Sequence, residues 1–200
     1  MTAATLRLRR ALTRLAPAFR RLALRNGHLA SLTPVQAQAI LFCGRTRPNL
    51  ATVGHLAREL GSSHATAVGI VDGLVRRGLL ERRTKPDDRR VTLLTLTAQG
   101  KELFCQLEAD NPALERALAS LPTSEQERVA QALEAISAHL AAEGVFQLSA
   151  PCPGCCYFRP QADPASSRPH FCHYFRQPLS EREIHLDCPK HKPARLASVG

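Results

Sequence analysis

The chain has 200 residues and a formal net charge of +10, with 27 basic against 17 acidic side chains. This length accommodates one sizeable domain or a domain with an appendage, because a single core usually comprises about 100 to 150 residues. No apolar run approaches the roughly 18 residues that cross a membrane, which excludes a transmembrane protein from our expectations.

The composition changes near residue 148. Upstream, Ala, Leu, Arg and Glu predominate, which favours helices. Downstream, the chain carries eight of its fourteen prolines, most of its aromatic residues and five of its seven cysteines, which disfavours them. We therefore predict two parts: a mainly helical domain over residues 1–147 and a Cys-rich, irregular metal-binding module over residues 148–200.

The positive charge is concentrated in the first third of the chain. No Asp or Glu precedes Glu59, whereas ten arginines occur up to Arg58. Such a surplus attracts polyanions, of which nucleic acid is the commonest, although an arginine-rich face can also serve only solubility. Charge alone leaves both interpretations open.

The N-terminal segment has apolar residues in a 4-3-4-3 spacing, at Leu8, Leu12, Leu15, Phe19 and Leu22. This spacing predicts a helix that packs against a partner, and it argues against a cleaved mitochondrial leader. Pro17 should kink that helix. No signal-peptide core follows, so we expect a cytoplasmic protein whose cysteines are thiols or metal ligands.

The second, third and fourth helices are predicted between residues 33 and 78. Thr33, Pro34 and Gln36 form a helix start that predicts a second helix to about residue 43. A third helix is predicted over residues 50–60, and a fourth begins after the three-residue turn Gly61-Ser62-Ser63 and ends at Gly78. Two helices joined by so short a turn form a helix-turn-helix.

Two predicted strands come next, at residues 79–83 and 91–97, joined by the polar segment 84–88. A basic hairpin in this position is a wing. A fifth helix opens at Thr97, and a sixth opens at Pro122 with an apolar seam of Val129, Leu133, Ile136 and Leu140. That seam fits intramolecular packing, but two seamed helices at opposite ends of a small domain favour a dimer interface.

The segment LVRRGLLERRTKPDDRRVTLLTLTAQGKEL, residues 74–103, resembles the wing region of the MarR family. Residues 32–43 and 56–78 are also similar to that family. The resemblance implies a mainly α fold with a small β-wing, in which a winged helix-turn-helix is flanked by dimerisation helices. It also implies a homodimer that binds an inverted repeat in double-stranded DNA, regulates transcription, commonly as a repressor, and responds to a small-molecule effector or an oxidant.

The candidate DNA-binding residues lie on the start of the fourth helix and in the wing. Hydroxyl and imidazole groups can hydrogen-bond base edges in the major groove, and an alanine can touch a thymine methyl group. Five cations within nine wing residues suit phosphate neutralisation and insertion into the minor groove. The predicted set is Ser62, Ser63, His64, Thr66, Ala67, Arg82, Arg83, Lys85, Asp88, Arg89 and Arg90.

Within the wing, the family pattern makes Arg90 the candidate for the minor groove and Asp88 the residue that holds the wing. Arg82 or Arg83 could instead form a structural ion pair with Asp87 or Asp88.

The C-terminal module contains Cys152 and Cys155 in a C-x2-C pair, followed by Cys172 and Cys188. Four cysteines can complete a metal site, and metal binding would stabilise a segment too small for its own apolar core. Tetrahedral sulfur ligation suits zinc. The spacing and the ending Cys188-Pro189 are similar to ferredoxin-type sites and suit an iron–sulfur cluster. Free or disulfide-forming cysteines are the third alternative.

Other cysteines and histidines have lesser predicted roles. Cys156, His173 and His191 could substitute as ligands, whereas His170 and His185 fit surface positions. Cys43 and Cys105 lie at apolar helix positions and are predicted to be buried, inert thiols.

Two functions compete. The first is a sequence-specific DNA-binding transcriptional regulator. The second is a metal- or cluster-dependent redox protein whose basic domain is only an interaction platform. The chain has no phosphate-binding Gly-rich loop, nucleophile elbow or paired-His motif, and four cysteine ligands leave no open metal position for a substrate, so we predict no enzyme.

Overall fold

The computed structural model describes residues 2–27, 32–86, 88–108 and 112–194. The helices are α1 (Ala3–Gly27), α2 (Pro34–Arg45), α3 (Val53–Glu59), α4 (His64–Arg76), α5 (Ala98–Glu108), α6 (Pro112–Ala119), α7 (Thr123–Ala142) and α8 (Glu181–Ile184). The strands are β1 (Leu80–Lys85), β2 (Asp88–Leu96), β3 (Phe158–Arg159), β4 (His170–Cys172) and β5 (Gln177–Leu179). The mainly α fold with a β-wing is confirmed. No helix in the described ranges could span a membrane.

The start of α2 follows the predicted capping chemistry. The Gln36 N–H donates to Thr33 Oγ1 at 3.3 Å, and the Thr33 N–H donates to Gln36 Oε1 at 3.0 Å. These reciprocal bonds satisfy amides that the helix itself leaves unpaired.

The segment before α3 is extended, so this helix is shorter than the predicted range 50–60. The Leu94 N–H donates to the Ala51 carbonyl at 2.7 Å, and Thr52 pairs with Leu93 of the wing. The Thr52 hydroxyl then caps α3 by accepting from the His55 N–H at 3.2 Å. Pairing with β2 therefore takes the place of the first helical turn and ties the helix-turn-helix to the wing.

The wing is a two-stranded antiparallel sheet that is longer than predicted. Its register runs from Leu80 opposite Leu96 to Lys85 opposite Asp88, so most of the predicted turn belongs to the strands. Leu80, Leu94 and Leu96 are buried at the base, whereas the tip is exposed. The hydrophobic alternation thus anchors the wing and leaves its cationic end free.

The main core lies beneath α2, α4, α5 and the base of the wing. Ile40, Leu56, Val71 and Leu74 are fully buried there. Gly100 opens α5 against β1, and a Cβ on it would lie only 2.0 Å from the Leu79 carbonyl oxygen. This close approach requires glycine.

Helices α1 and α7 expose apolar stripes. On α1, the predicted seam residues Leu8, Leu12, Leu15 and Phe19 are all exposed. The side chain of Leu22, the fifth predicted seam residue, lies outside the part of the chain that the structure describes. The helix continues through Pro17. The predicted α7 seam is likewise exposed, with relative exposures of 36% at Ile136 to 45% at Leu133.

The C-terminal module has more regular structure than the predicted irregular tail. Strands β3, β4 and β5 form a three-stranded antiparallel sheet, and α8 follows it. A second buried cluster, separate from the main core, consists of Cys152, Cys172, Leu179 and Ile184. Backbone pairing across hairpins supplies order that the Pro-rich composition did not indicate, because Pro178 lies on the edge strand β5 and Gly154 lies in a turn.

Candidate DNA-binding surface and cysteine cavity

The N-terminus of α4 is an exposed, well-capped helix start. Ser63 is the N-cap, and its hydroxyl accepts from the Thr66 N–H at 3.1 Å. Ser63, His64 and Thr66 are exposed, whereas Ser62 is half-buried. These four predicted residues surround one helix end, as a recognition helix requires.

Ala67 was wrongly predicted as a DNA contact. Its relative exposure is 0%, and it lies on the stripe that continues through Val71 and Leu74 into the core. The exposed face instead carries Ala65 and Gly69, where nothing lies within 4 Å of a Cβ built on Gly69. The i, i+4, i+7 spacing of the buried stripe identifies these faces from the sequence alone.

The wing tip holds an exposed cation on a braced backbone. Asp88 Oδ1 accepts from the Arg90 N–H at 3.0 Å and lies 3.4 Å from Arg90 Nε. The Arg90 side chain is nonetheless 94% exposed. Asp88 therefore organises the turn by backbone contact while Arg90 extends into solvent, an arrangement that suits insertion into a narrow groove.

The other wing cations differ in their environments. Arg82 Nη1 lies 2.6 Å from Asp72 Oδ1 of α4, and Arg83 Nη2 lies 2.6 Å from Glu81 Oε1. The ion pairs expected with Asp88 are thus made by other acids, and Asp87 lies outside the described residues. The remaining predicted contacts are Lys85, half-buried, and Arg89, exposed.

The four predicted metal-binding cysteines line one small cavity. Cys152, Cys155, Cys172 and Cys188 meet there although they come from three separate stretches of the chain. Cys152-Pro153-Gly154-Cys155 forms a tight turn in which the Cys155 N–H donates to the Cys152 carbonyl at 3.0 Å and Gly154 has φ of 81°. Proline followed by glycine is the sequence that this turn requires.

A similar turn follows the last cysteine. In Cys188-Pro189-Lys190-His191 the His191 N–H donates to the Cys188 carbonyl at 2.9 Å, and His191 also lines the cavity. Among the alternative ligands, Cys156 and His173 are exposed and do not line it. His170 is buried rather than on the surface, because its Nε2 lies 2.9 Å from Glu181 Oε1 and its Nδ1 accepts from the Gln161 N–H.

Arg47, from the loop between α2 and α3, enters the same cavity and was missed by sequence reasoning. It is 2% exposed, its side chain hydrogen-bonds Cys188, and its guanidinium lies 5.6 Å from the centre of the Phe175 ring. Within the described part of the chain, its Nε and Nη1 have no hydrogen-bond partner. No local sequence signal marks it, because its neighbours in space lie more than a hundred residues away.

Burial dominates the electrostatics of the cavity. It raises the pKa of the Cys152 thiol to about 11 and that of Cys188 above its ordinary value, and Arg47 opposes both shifts. In residues 2–27, 32–86, 88–108 and 112–194, no three His, Cys, Asp or Glu side chains are arranged to hold a single metal ion. The four cysteines thus share one cavity without forming a single-ion site.

The C-terminal module docks on the helix-turn-helix through backbone bonds. The Asp187 N–H donates to the Arg45 carbonyl at 2.9 Å, and the Arg47 N–H donates to the Asp187 carbonyl at 3.2 Å. Ser149 Oγ donates to Glu59 Oε2 at 2.7 Å. The cysteine cavity is thus built partly from the DNA-binding domain.

The two cysteines outside this module differ. Cys43 is buried, and burial raises its pKa to about 12, which makes it the inert thiol predicted. Cys105 is exposed on α5, so its predicted burial is wrong.

An open cleft of about 1440 Å³ separates α7 from the helix-turn-helix and the C-terminal module. Its walls include Leu60, Ala138 and Phe146, together with Arg58 and His139. Most of this lining is apolar, with a few charged groups at its edges.

A model of the MarR family matches residues 30–91. The chain is 36% identical over 77 residues to the transcriptional repressor MprA of Escherichia coli, a match that covers 38% of this chain and 44% of MprA. The chain thus spans less than half the length of that relative. The crystal structure of the transcriptional regulator PA3341 superposes with a TM-score of 0.58 at 28% identity, covering 68% of this chain and 98% of that one.

The fold is also that of CouR from Rhodococcus jostii RHA1, crystallised with p-coumaroyl-CoA. The TM-score is 0.53 at 22% identity, covering 63% of this chain and 88% of CouR.

Proposed function

Since residues 30–91 belong to the MarR family, we propose that this chain is a homodimeric, sequence-specific DNA-binding regulator that represses transcription from an inverted-repeat operator. It acts in the cytoplasm, where bacterial-type operators lie, and it is not an enzyme. MprA, which shares 36% identity over the aligned 77 residues, is a transcriptional repressor.

The geometry of the wing is the main support for this proposal. Arg90 is 94% exposed at the wing tip, and Asp88 holds its backbone. The Arg82–Asp72 ion pair joins the wing to α4, so the exposed Arg90 and the polar start of the recognition helix are held as one unit. A cation inserted beside a groove-reading helix both neutralises phosphate charge and responds to minor-groove width.

The exposed stripes of α1 and α7 support dimerisation. Val129, Leu133, Ile136 and Leu140 form a continuous apolar row on α7, and no residue of that helix is buried within the described chain. A second copy would remove both stripes from water and place two recognition helices on symmetric half-sites. Leu133→Glu should therefore convert the dimer to monomers in sedimentation equilibrium, while the exposed polar substitution Gln131→Glu should not.

The cleft beside α7 is the proposed effector site. It touches both the end of α3 and the helix proposed to dimerise, so a ligand there could change the spacing of the two recognition helices. CouR was crystallised with p-coumaroyl-CoA, a ligand with an aromatic group. An aromatic or amphipathic small molecule suits the apolar walls and edge charges of the cleft in this chain.

Operator binding tests the proposal. Duplexes selected from a random pool supply the operator, and fluorescence anisotropy measures affinity as salt is varied. Arg90→Ala should weaken binding about tenfold and lower the slope of log affinity against log salt by about one. Arg116→Ala on α6, outside the helix-turn-helix and wing, removes the same charge and should change neither quantity.

Equal losses for the two variants would contradict the wing assignment. A redox protein with an incidental basic face would bind all duplexes alike, so the absence of a preferred sequence would favour that alternative.

A further inference from the structure

The cysteine cavity has the composition of a cofactor site. It draws Cys152 and Cys155 from one turn, Cys172 from β4 and Cys188 from the segment after α8. Three of these four cysteines are buried, and all seven cysteines of the chain are free thiols. Tyr157, Phe158 and Phe175 form much of the remaining wall and shield the three buried sulfurs from water.

Arg47 provides independent evidence that the cavity receives an anionic group. A guanidinium keeps its charge inside a protein, and burying it without a counter-charge is strongly unfavourable. Arg47 is 2% exposed, and its Nε and Nη1 have no partner in the described residues. Glu183, whose carboxylate feels the charge of Arg47, is itself paired with Arg168 at 2.9 Å. The Cys188 thiol is only a weak acceptor, so it does not balance the charge of Arg47, whereas metal-bound thiolates would.

The ligand pattern distinguishes between metal groups. A zinc ribbon pairs two C-x2-C loops, whereas this cavity takes one such pair, Cys152 and Cys155, and two cysteines that stand alone, Cys172 and Cys188. Pro189 follows the last of them directly, as in the C-P ending of ferredoxin-type sites. This pattern favours an iron–sulfur cluster over zinc.

We propose that Cys152, Cys155, Cys172 and Cys188 ligate an iron–sulfur cluster in this cavity, with Arg47 as the cation that compensates its negative charge. Four cysteines are the usual ligand set of such clusters. Each thiol releases its proton as iron binds, so the cluster and its thiolates carry net negative charge beside the guanidinium. This assignment is independent of operator binding, since its test measures metal content and potential.

Arg47 also gives the cluster a position relative to the DNA-binding domain. Its main chain pairs with Asp187, next to Cys188, and its side chain reaches from the α2–α3 loop into the module. A cation at this place stabilises the more negatively charged, reduced cluster and raises the reduction potential. Arg47 is therefore a positioning and tuning residue, not a ligand.

Metal analysis of anaerobically purified full-length protein is the first test. Iron and acid-labile sulfide should be present in equal amounts, at two or four atoms of each per chain, with a visible absorption that disappears in Cys172→Ser. Cys156→Ser, which alters the exposed neighbour of Cys155, should retain iron and colour. Three results would overturn the proposal. The protein could contain zinc alone, or it could hold no metal after reconstitution with iron and sulfide. The third is a loss of iron in Cys156→Ser while Cys172→Ser retains it.

A labelling experiment on the unmutated protein guards against a Cys172→Ser chain that does not fold. Cys155 is half-buried, so it is accessible to an alkylating reagent when no cluster is bound. It should be protected in the iron-loaded protein and labelled after iron is chelated, while exposed Cys105 and Cys156 are labelled in both. Equal labelling of Cys155 before and after chelation would contradict its role as a ligand.

The role of Arg47 is tested by the reduction potential of the cluster. Arg47→Met should lower the reduction potential of the cluster in an anaerobic optical titration, and Arg47→Lys, which keeps the charge, should restore most of the shift. A structural role alone would alter cluster content without this charge-dependent recovery. The same potential in Arg47→Met and in the unmutated protein would overturn the assignment.

Discussion

The winged-helix domain and the C-terminal module are stabilised in different ways. Among the residues that the structure describes, the main core comprises sixteen that are buried, led by Ile40, Leu56, Leu74 and Leu94. The module's buried cluster comprises four, and two of them are Cys152 and Cys172. An apolar core of the first size stabilises a fold through burial, whereas a core of the second size needs a further contribution. We infer that the module depends on its ligand and the winged helix does not.

Removing the proposed cluster tests this comparison most strongly. After anaerobic chelation of iron, amide hydrogens in residues 150–194 should lose nearly all protection from exchange, because ligand binding is then the main source of their stability. Those of α2, α4 and α5 should remain protected. Unchanged protection in the module would break the distinction between the two regions.

A cavity in the main core should have the opposite effect. Leu74 is fully buried, so Leu74→Ala should lower the free energy of unfolding by about 3 kcal/mol in urea titrations. The chain should still bind its full complement of iron at low temperature. Val35→Ala, at a position 39% exposed on α2, serves as the control and should change stability by less than about 1 kcal/mol.

Helix capping sharpens the comparison, because both regions use it. Thr33→Ala removes the cap of α2 and should lower the free energy of unfolding of the winged helix by about 1 kcal/mol. In the module, the Glu183 carboxylate accepts from the Ser180 N–H at 2.9 Å and from its hydroxyl at 2.8 Å. Ser180→Ala should leave the winged-helix transition unchanged and accelerate iron release to a chelator. An effect of either variant on both readouts would show that the two regions unfold together.

The smallest expected effect is the pH response of α3. Burial lowers the pKa of His55 below its ordinary 6.5, the Leu50 carbonyl opposes the shift, and Arg58 and Lys190 add to it. The unfolded chain therefore takes up a proton before the folded one does. The contribution of neutral His55 to the free energy of unfolding is fully present above pH 6.5 and declines as the pH falls below 6.5. His55→Gln should reduce that decline between pH 7 and 5.5, and His64→Gln, at an exposed position, should not.

Sequence patterns were most informative where structure depends on neighbours along the chain. The Thr33 cap, the helix-turn-helix and the base of the wing follow from periodicity and hydrogen-bonding side chains within a few residues. Ala67 was misassigned although its place on the stripe with Val71 and Leu74 was visible. A helix has one buried face, and membership of that face excludes contact with DNA.

Long-range features were not predictable in the same way. Arg47 enters the cysteine cavity because Asp187, 140 positions later, pairs with its backbone, and no local pattern encodes such pairing. His170 was assigned to the wrong environment for the same reason, since a partner such as Glu181 determines whether a polar residue can be buried. Cys105 differs, because it lies off the buried stripe of Gly100, Leu103 and Leu107 on α5, which local helical spacing indicates. The four cysteines were identifiable by type and spacing, but their meeting in one cavity required the fold.

Selection of duplexes from a random pool by the purified, iron-loaded protein tests the central claim most directly. The enriched sequences should form a two-fold symmetric repeat with half-site centres about 10 base pairs apart or a multiple of that spacing, because two recognition helices of a dimer read them. Native mass measurement should find two chains on each selected duplex. No enrichment over the input pool, or enrichment of a single asymmetric site bound by one chain, would contradict the account.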